Sequence, residues 1–192
     1  DFGRSDAGEP WIAMEFVDGL PIDRWCRQHD APVRQRVRLM IHVAMALDHA
    51  HRSLVVHRDI KPGNVFVTVP DGSIKVLDFG IARSLPAAGA EATRNAPTAY
   101  TQAYASPEQL AGERVAVASD IYQLGELLYV LLAGERAFAD VPPNPAQQLA
   151  AREAGAQPPS RRAAARGDRR LARAGSVDLD TIALKAMEFL PE

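Results

Sequence analysis

The chain has 192 residues, 47% of them hydrophobic and 24% charged, with 13 Gly and 14 Pro. That is the composition of an ordinary globular protein, and it excludes a collagen-like, low-complexity or acidic disordered chain. A balance of 22 basic against 24 acidic residues gives a net charge of −2 and argues against a globally basic nucleic-acid binder.

The single Cys26 cannot form an internal disulfide, which suits a reducing compartment. Asp1-Phe2-Gly3-Arg4 begins no signal peptide, since no apolar core follows it. The longest apolar run, Ile121 to Gly134, carries Gln123 and Glu126 and is shorter than the about 20 residues a bilayer requires. A cytoplasmic location is therefore expected for this chain.

In chain order, Trp11 to Val17 is expected to be a strand, broken by Asp18-Gly19, with a short helix over Asp23 to Gln28. From Pro32 to Arg52 apolar residues recur at spacings of three and four, among them Val33, Val37, Met40, Ile41, Ala44 and Leu47. That predicts a long amphipathic helix. Val55-Val56 reads as a brief strand. Val65 to Val69 and Ile74 to Leu77 flank Pro70-Asp71-Gly72-Ser73, the pattern of a β-hairpin. Arg83 to Tyr100 has no steady period and is expected to be a mobile loop. Ser119-Asp120 supplies an N-cap signal before a helix apolar on nearly every face, which belongs in the middle of a domain and ends at Gly134. Residues 140–175 are rich in Ala, Pro and Arg and poorly specified. Leu179 to Phe189 reads as a last amphipathic helix.

Chemistry concentrates in His57-Arg58-Asp59-Ile60-Lys61-Pro62-Gly63-Asn64 and in Asp78-Phe79-Gly80. The hairpin folds back, so Asn64 at its entry and Asp78 at its exit are expected to be neighbours. Two oxygen ligands so placed suit Mg²⁺, which takes one or two protein oxygens plus phosphates and waters. Asp59 remains to accept a proton and Lys61 to neutralise developing charge, the set that phosphoryl transfer requires.

These residues resemble the pattern H-R-D-x-K-x-x-N followed by D-F-G of eukaryotic-type protein kinases. Ser106-Pro107-Glu108 resembles the family's A-P-E motif, Asp120 and Gly125 sit where its central buried helix carries Asp and Gly, and Met14 to Val17 resembles its hinge. The resemblance covers the chain from about Trp11 onward and looks bacterial. It implies an α+β, protein-kinase-like fold with a mainly helical C-lobe and a small β-hairpin at the catalytic cleft. Residues 1–19 would be small-lobe strands and hinge, and 20–192 the large lobe. Within the latter lie the catalytic loop 57–64, the activation segment 78–108 and the central helix 119–134.

The same resemblance implies roles. Asp59 would orient and deprotonate a substrate hydroxyl, Lys61 would contact the transferring phosphate, and Asn64 and Asp78 would hold Mg²⁺. Backbone groups of Glu15 and Val17 would bind the adenine of ATP, with Met14 as gatekeeper and Phe66 under the ring. Lys61 matches the Ser/Thr-specific pattern, so the partner would be a protein substrate. Arg58 implies control by activation-loop phosphorylation, with Thr93 and Thr98 as candidate sites. Thr101 would be the structural Thr near Asp59 and Lys61, although the Gly that precedes it in the family is Tyr100 here. Phe79, with Gly80 beside it, is expected in the core. His57 is expected to brace the loop against Asp120.

Nothing in these residues resembles G-x-G-x-x-G, the V-A-I-K lysine or the helix Glu that pairs with it. The chain is thus expected to be the hinge plus large lobe, to need the small lobe as a partner and to bind ATP weakly by itself. Glu108 is expected to lack the Arg that the family's last helix supplies. Relatives of this type often carry a membrane anchor elsewhere in the protein.

Other readings have specific weaknesses. Asp1-Phe2-Gly3 repeats the metal tripeptide without a buried strand before it. His49 and His51 lie on different helix faces, and no Cys or carboxylate completes a zinc set. The basic run Ser160 to Arg170 has no interleaved aromatic for base stacking and reads as a solvated inter-helix loop. A kinase-like scaffold without turnover stays open. A small-molecule phosphotransferase is disfavoured because such enzymes carry H-G-D and lack a Ser-Pro-Glu segment.

Overall fold

The computed structural model describes residues 2–5, 10–69, 71–79, 103–174 and 177–189. Gly80, Thr93, Thr98 and Thr101, and with them the expected mobile loop, lie outside the described residues.

Near the N-terminus β1 (Phe2–Arg4) pairs antiparallel with β2 (Pro10–Ile12). Ladder pairing thus covers only the start of the strand expected over Trp11 to Val17, and 13–18 runs on without regular structure to β3 (Gly19–Pro21). Helix α1 (Ile22–Gln28) follows, then α2 (Val33–Arg52). A 3₁₀ turn over Pro62–Asn64 leads into β4 (Val65–Thr68) and β5 (Ile74–Val76). These two strands form the expected hairpin, in register Val65 with Val76, and β3 adds to its other edge to give the order β3-β4-β5.

Val55-Val56 is not a strand. Leu54 N–H donates to His51 O at 2.9 Å and Val55 N–H to Ala50 O at 2.9 Å. These amides close the C-terminus of α2, whose last carbonyls have no partner within the helix.

The remaining described elements are α3 (Pro107–Ala111), α4 (Val117–Ala133), α5 (Pro145–Ala154), α6 (Pro159–Ala165), α7 (Arg169–Ala174) and α8 (Val177–Ala186). The core sits between α2 and α4, where Leu39, Met40, Val43 and Leu47 meet Leu127, Leu128, Leu131 and Leu132. Each such side chain contributes about 2 kcal/mol of burial free energy. Helix α4 begins at Val117, two residues before the predicted cap. Ser119 sits inside its first turn and accepts from Ala116 N–H at 3.2 Å. Gly134, at φ 78°, ends the helix as the sequence indicates, in the left-handed conformation that Gly adopts without strain.

Gly125 lets α8 lie against α4. A Cβ there would come within 2.8 Å of Ala186 Cβ and Met187 Cγ, and within 3.2 Å of Ala183 O. Gly125→Ala is expected to destabilise the fold by about 1–3 kcal/mol through overpacking, read from urea unfolding. An unchanged midpoint would show that α8 moves away freely.

The basic run is helical over 160–165 and 169–170, with only 166–168 between the helices, and carboxylates remote in sequence pair with its arginines. Arg162 meets Glu135 and Asp140, each at 2.6 Å, and Arg170 pairs with Asp30. Cys26 is fully buried as a small hydrophobe, and burial pushes its thiol up to about 11. No described helix is long and apolar enough to cross a membrane.

Candidate functional site

Residues 57–64 carry side chains for chemistry on a backbone held from beneath by α4. Asp120, wholly buried in the first turns of that helix, accepts three hydrogen bonds. His57 N–H donates to Oδ2 at 2.8 Å and Arg58 N–H to Oδ1 at 2.7 Å. The third comes from the His51 ring, whose Nε2 meets Oδ2 at 2.7 Å. One turn on, Gln123 Oε1 accepts from Ile60 N–H at 2.9 Å. The loop therefore hangs on side chains of α4 through its own amides.

The expectation that His57 braces against Asp120 is correct for its backbone and incorrect for its ring. The ring faces the other way, with Nε2 at 2.9 Å from Leu77 O and Nδ1 accepting from Asp59 N–H at 3.3 Å. This assigns the proton to Nε2 and keeps the imidazole neutral. Burial acts in the same direction, lowering the His57 pKa against the opposing pull of the Leu77 carbonyl. The ring also packs on Phe79, with centroids 4.6 Å apart. Phe79 is half-buried there, consistent with a packing role. His51 and His57 thus commit their rings to Asp120 and Leu77, and this geometry leaves neither as the nucleus of a zinc set.

The predicted reactive residues converge. Lys61 Nζ lies 2.7 Å from Asp59 Oδ2, and Asn64 Nδ2 donates to the same oxygen at 3.0 Å and to Asp59 O at 2.8 Å. The Asn64 amide nitrogen is engaged by Asp59, which leaves Oδ1 as the side-chain oxygen that Asn64 can offer a cation. Leu77 N–H donates to Asn64 O at 2.8 Å, so Asp78 emerges from the hairpin beside Asn64 as expected. Asp78 is exposed and sits at φ 57°. Arg58, at φ 72°, is a second non-Gly residue in the left-handed region, a conformation that costs of order 1–2 kcal/mol. Such strain persists where surrounding bonds impose it, as the grip of Asp120 on Arg58 N–H does here.

Two oxygens, one from Asn64 and one from Asp78, form a hard-donor pair that fits Mg²⁺. Among the described residues no group of three His, Cys, Asp or Glu side chains could hold a metal by itself.

The hinge candidates Met14, Glu15 and Val17 lie in the extended segment 13–18, with Met14 exposed and Val17 half-buried. Glu15 meets Lys75 of β5 at 3.3 Å. Phe66, half-buried on β4, pairs in register with Pro21 and Lys75.

Glu108, expected to lack an arginine partner, is hydrogen-bonded by the Ser119 hydroxyl. Beside it a glutamine pair ties α3 to the catalytic loop. Gln109 Nε2 donates to Arg58 O at 2.7 Å, and Gln123 Nε2 donates to Gln109 Oε1 at 2.9 Å. Gln109, Gln123 and His51 escaped the sequence reading. The available signal was Gln123 itself, a polar residue in an otherwise apolar helix.

A protein kinase domain model matches residues 5–167. The chain belongs to the protein kinase domain family. The serine/threonine-protein kinase PknB of Mycolicibacterium smegmatis is 36% identical over 185 residues, which cover 95% of this chain and 28% of PknB. PknB of Mycobacterium leprae gives the same identity and coverage. The crystal structure of the Mycobacterium tuberculosis PknI kinase domain superposes with a TM-score of 0.65 at 32% identity, covering 100% of this chain and 62% of that one. This kinase chain therefore spans under a third of its PknB relatives' length and less than two thirds of the solved domain. The α+β, protein-kinase-like fold expected from the sequence is the one found.

Proposed function

We propose that this kinase chain is the catalytic core of a serine/threonine protein kinase, transferring the γ-phosphate of ATP to protein Ser or Thr hydroxyls. The observation that supports it best is the convergence of Lys61 and Asn64 on Asp59, with Asp78 at the far end of the same hairpin. Both bonds to Asp59 fall on Oδ2, so Oδ1 is the oxygen turned to an incoming hydroxyl. Asp59 would take the hydroxyl proton as the oxygen–phosphorus bond forms and the bond to the leaving nucleotide breaks. Lys61 would shift from Asp59 to the charge gathering on the transferring group. Mg²⁺, held by Asn64 Oδ1 and Asp78, would neutralise phosphate charge. Met14, Glu15, Val17 and Phe66 would bind adenine.

Asp59→Asn is expected to lower kcat for a Ser/Thr peptide by about 10²–10⁴-fold, the usual contribution of a general base, with the unfolding midpoint unchanged. Radiolabel transfer from ATP measures it. Turnover equal to that of the wild type would remove Asp59 from the base role.

Arg58 supports control by phosphorylation. Its Nε is buried without a hydrogen-bond partner among the described residues, and such a group favours an anion. Phosphorylated Thr93 or Thr98 would supply it. Exposed Trp11, Met14 and Phe16 around the hinge support docking of the family's small lobe. The cytoplasmic assignment rests on free, buried Cys26.

A further inference from the structure

The segment Ala103–Ala105 leads into α3 and is held by two arginines from different elements. Arg152 of α5 is 1% exposed, and each of its three guanidinium nitrogens donates. Nε donates to Ala105 O at 3.1 Å and Nη2 to Ala103 O at 3.2 Å, while Nη1 donates to Gln148 O and Oε1 at 3.0 and 2.6 Å. The plane lies over Phe138, 4.9 Å from its centroid. Arg136, from the loop after α4, donates Nη1 to the same Ala103 O at 3.3 Å and sits 5.9 Å from the centre of the Tyr104 ring.

The other end of this segment is fixed to the catalytic loop. Ser106 N–H donates to Gln109 Oε1 at 3.0 Å, and Gln109 Nε2 reaches Arg58 O, one residue from Asp59. Residues 103–106 are thereby tied, through one glutamine, to the loop that carries Asp59. The height of that backbone is set from one side by Gln109 and from the other by the arginines.

We propose that Arg152 and Arg136 are positioning residues for the protein substrate. They fix the 103–105 backbone at the distance from Asp59 that an extended peptide needs. The role rests on the serine/threonine kinase reading above, and it assigns the arginines to peptide binding and not to ATP. Arg152→Lys keeps the charge and loses the planar fork that spans two carbonyls.

The test measures Arg152→Lys in two ways. The KM for a Ser/Thr peptide is expected to rise about tenfold while the KM for ATP stays within about twofold, the signature of lost substrate positioning. Amide hydrogen exchange at residues 104–106 is expected to accelerate about tenfold, with the amides of Tyr122 to Leu132 unchanged. A peptide KM and a 104–106 exchange rate both equal to wild type would overturn the proposal, as would an equal rise in both KM values. If the wild-type chain phosphorylates no peptide even with the family's small lobe supplied, the kinase reading fails and the exchange measurement alone decides the clamp. Should Arg152→Lys not fold, Arg136→Lys, which removes the second bond to Ala103 O from a half-buried position, gives the same two readouts.

Discussion

Replacing Asp120 by Ala is expected to cost about 3–5 kcal/mol of stability and to uncouple the catalytic loop from the core. Truncation would leave His57 N–H and Arg58 N–H without acceptors and the His51 ring without its partner. Removing one member of a buried charge-assisted network strands the rest, and the cost is then desolvation as well as lost bonds. Arg58 would also lose the bond that holds its backbone in the left-handed region, so Asp59 next to it would lose its fixed direction. At about 2–4 °C per kcal/mol for a chain of this size, the melting temperature is expected to fall by about 10 °C. Asp120→Asn keeps one carbonyl oxygen and is expected to fall between the two. Thermal unfolding followed by circular dichroism decides. A shift of only a degree or two in Asp120→Ala would mean that the loop is anchored elsewhere.

Glu126 makes stability fall as pH rises through neutrality. Burial pushes its carboxyl up to about 7, against the pull of Arg152, the Ala137 amide and Arg136. That amide attracts the group electrostatically, but neither carboxylate oxygen completes a hydrogen bond of normal geometry among the described residues. On α4 itself it is flanked by the buried phenols of Tyr122 and Tyr129, both held protonated by burial.

The native state thus binds a proton at Glu126 that the unfolded chain has released above its ordinary value of 4.5. Between those two values the native state carries the larger number of protons. The contribution of this group is fully present below 4.5, declines as pH rises and is gone above about 7. Integrated over that interval, the loss is about 3 kcal/mol.

Glu126→Gln cannot ionise, so its stability relative to wild type is expected to grow by most of that amount between about pH 5 and pH 8, read from urea unfolding at both. His57, with its lowered pKa, contributes in the opposite sense. Its stability is present above 6.5 and is lost as pH falls from there through the lowered value. Taking the difference between wild type and Glu126→Gln cancels that term. Parallel pH profiles for the two proteins would refute the assignment.

Local signals carried much of the fold. The spacing of Val33, Met40 and Leu47 marked α2, and the apolar run after Asp120 marked α4, since burial periodicity is written along a helix. The hairpin followed from two β-branched runs around Asp71-Gly72. Strands without a nearby partner were misread, because a strand exists through pairing. Val55-Val56 has the right residue types, but the Val55 amide is spent on α2. Arg162 and Arg170 looked solvated because their partners Glu135, Asp140 and Asp30 are remote in sequence.

The site divides the same way. Asp59, Lys61, Asn64 and Asp78 were legible as a chemical set. The contacts of Gln109, Gln123, His51 and Arg152 join elements that only the folded chain brings together.

The supports of this site grip main chain. Asp120 and Gln123 take the amides of residues 57, 58 and 60, and the arginine clamp takes the carbonyls of two alanines. Scaffold and chemistry are therefore separable in mutational space. On the function proposed above, exchanging the residues at 59, 61 and 78 is expected to silence the reaction without loosening the frame. Exchanging Tyr104 would remove the ring that Arg136 covers but would leave the arginines' bonds to the Ala103 and Ala105 carbonyls. A lineage built this way can drift in substrate preference, or lose turnover and persist as a binding module, without first having to rebuild its core.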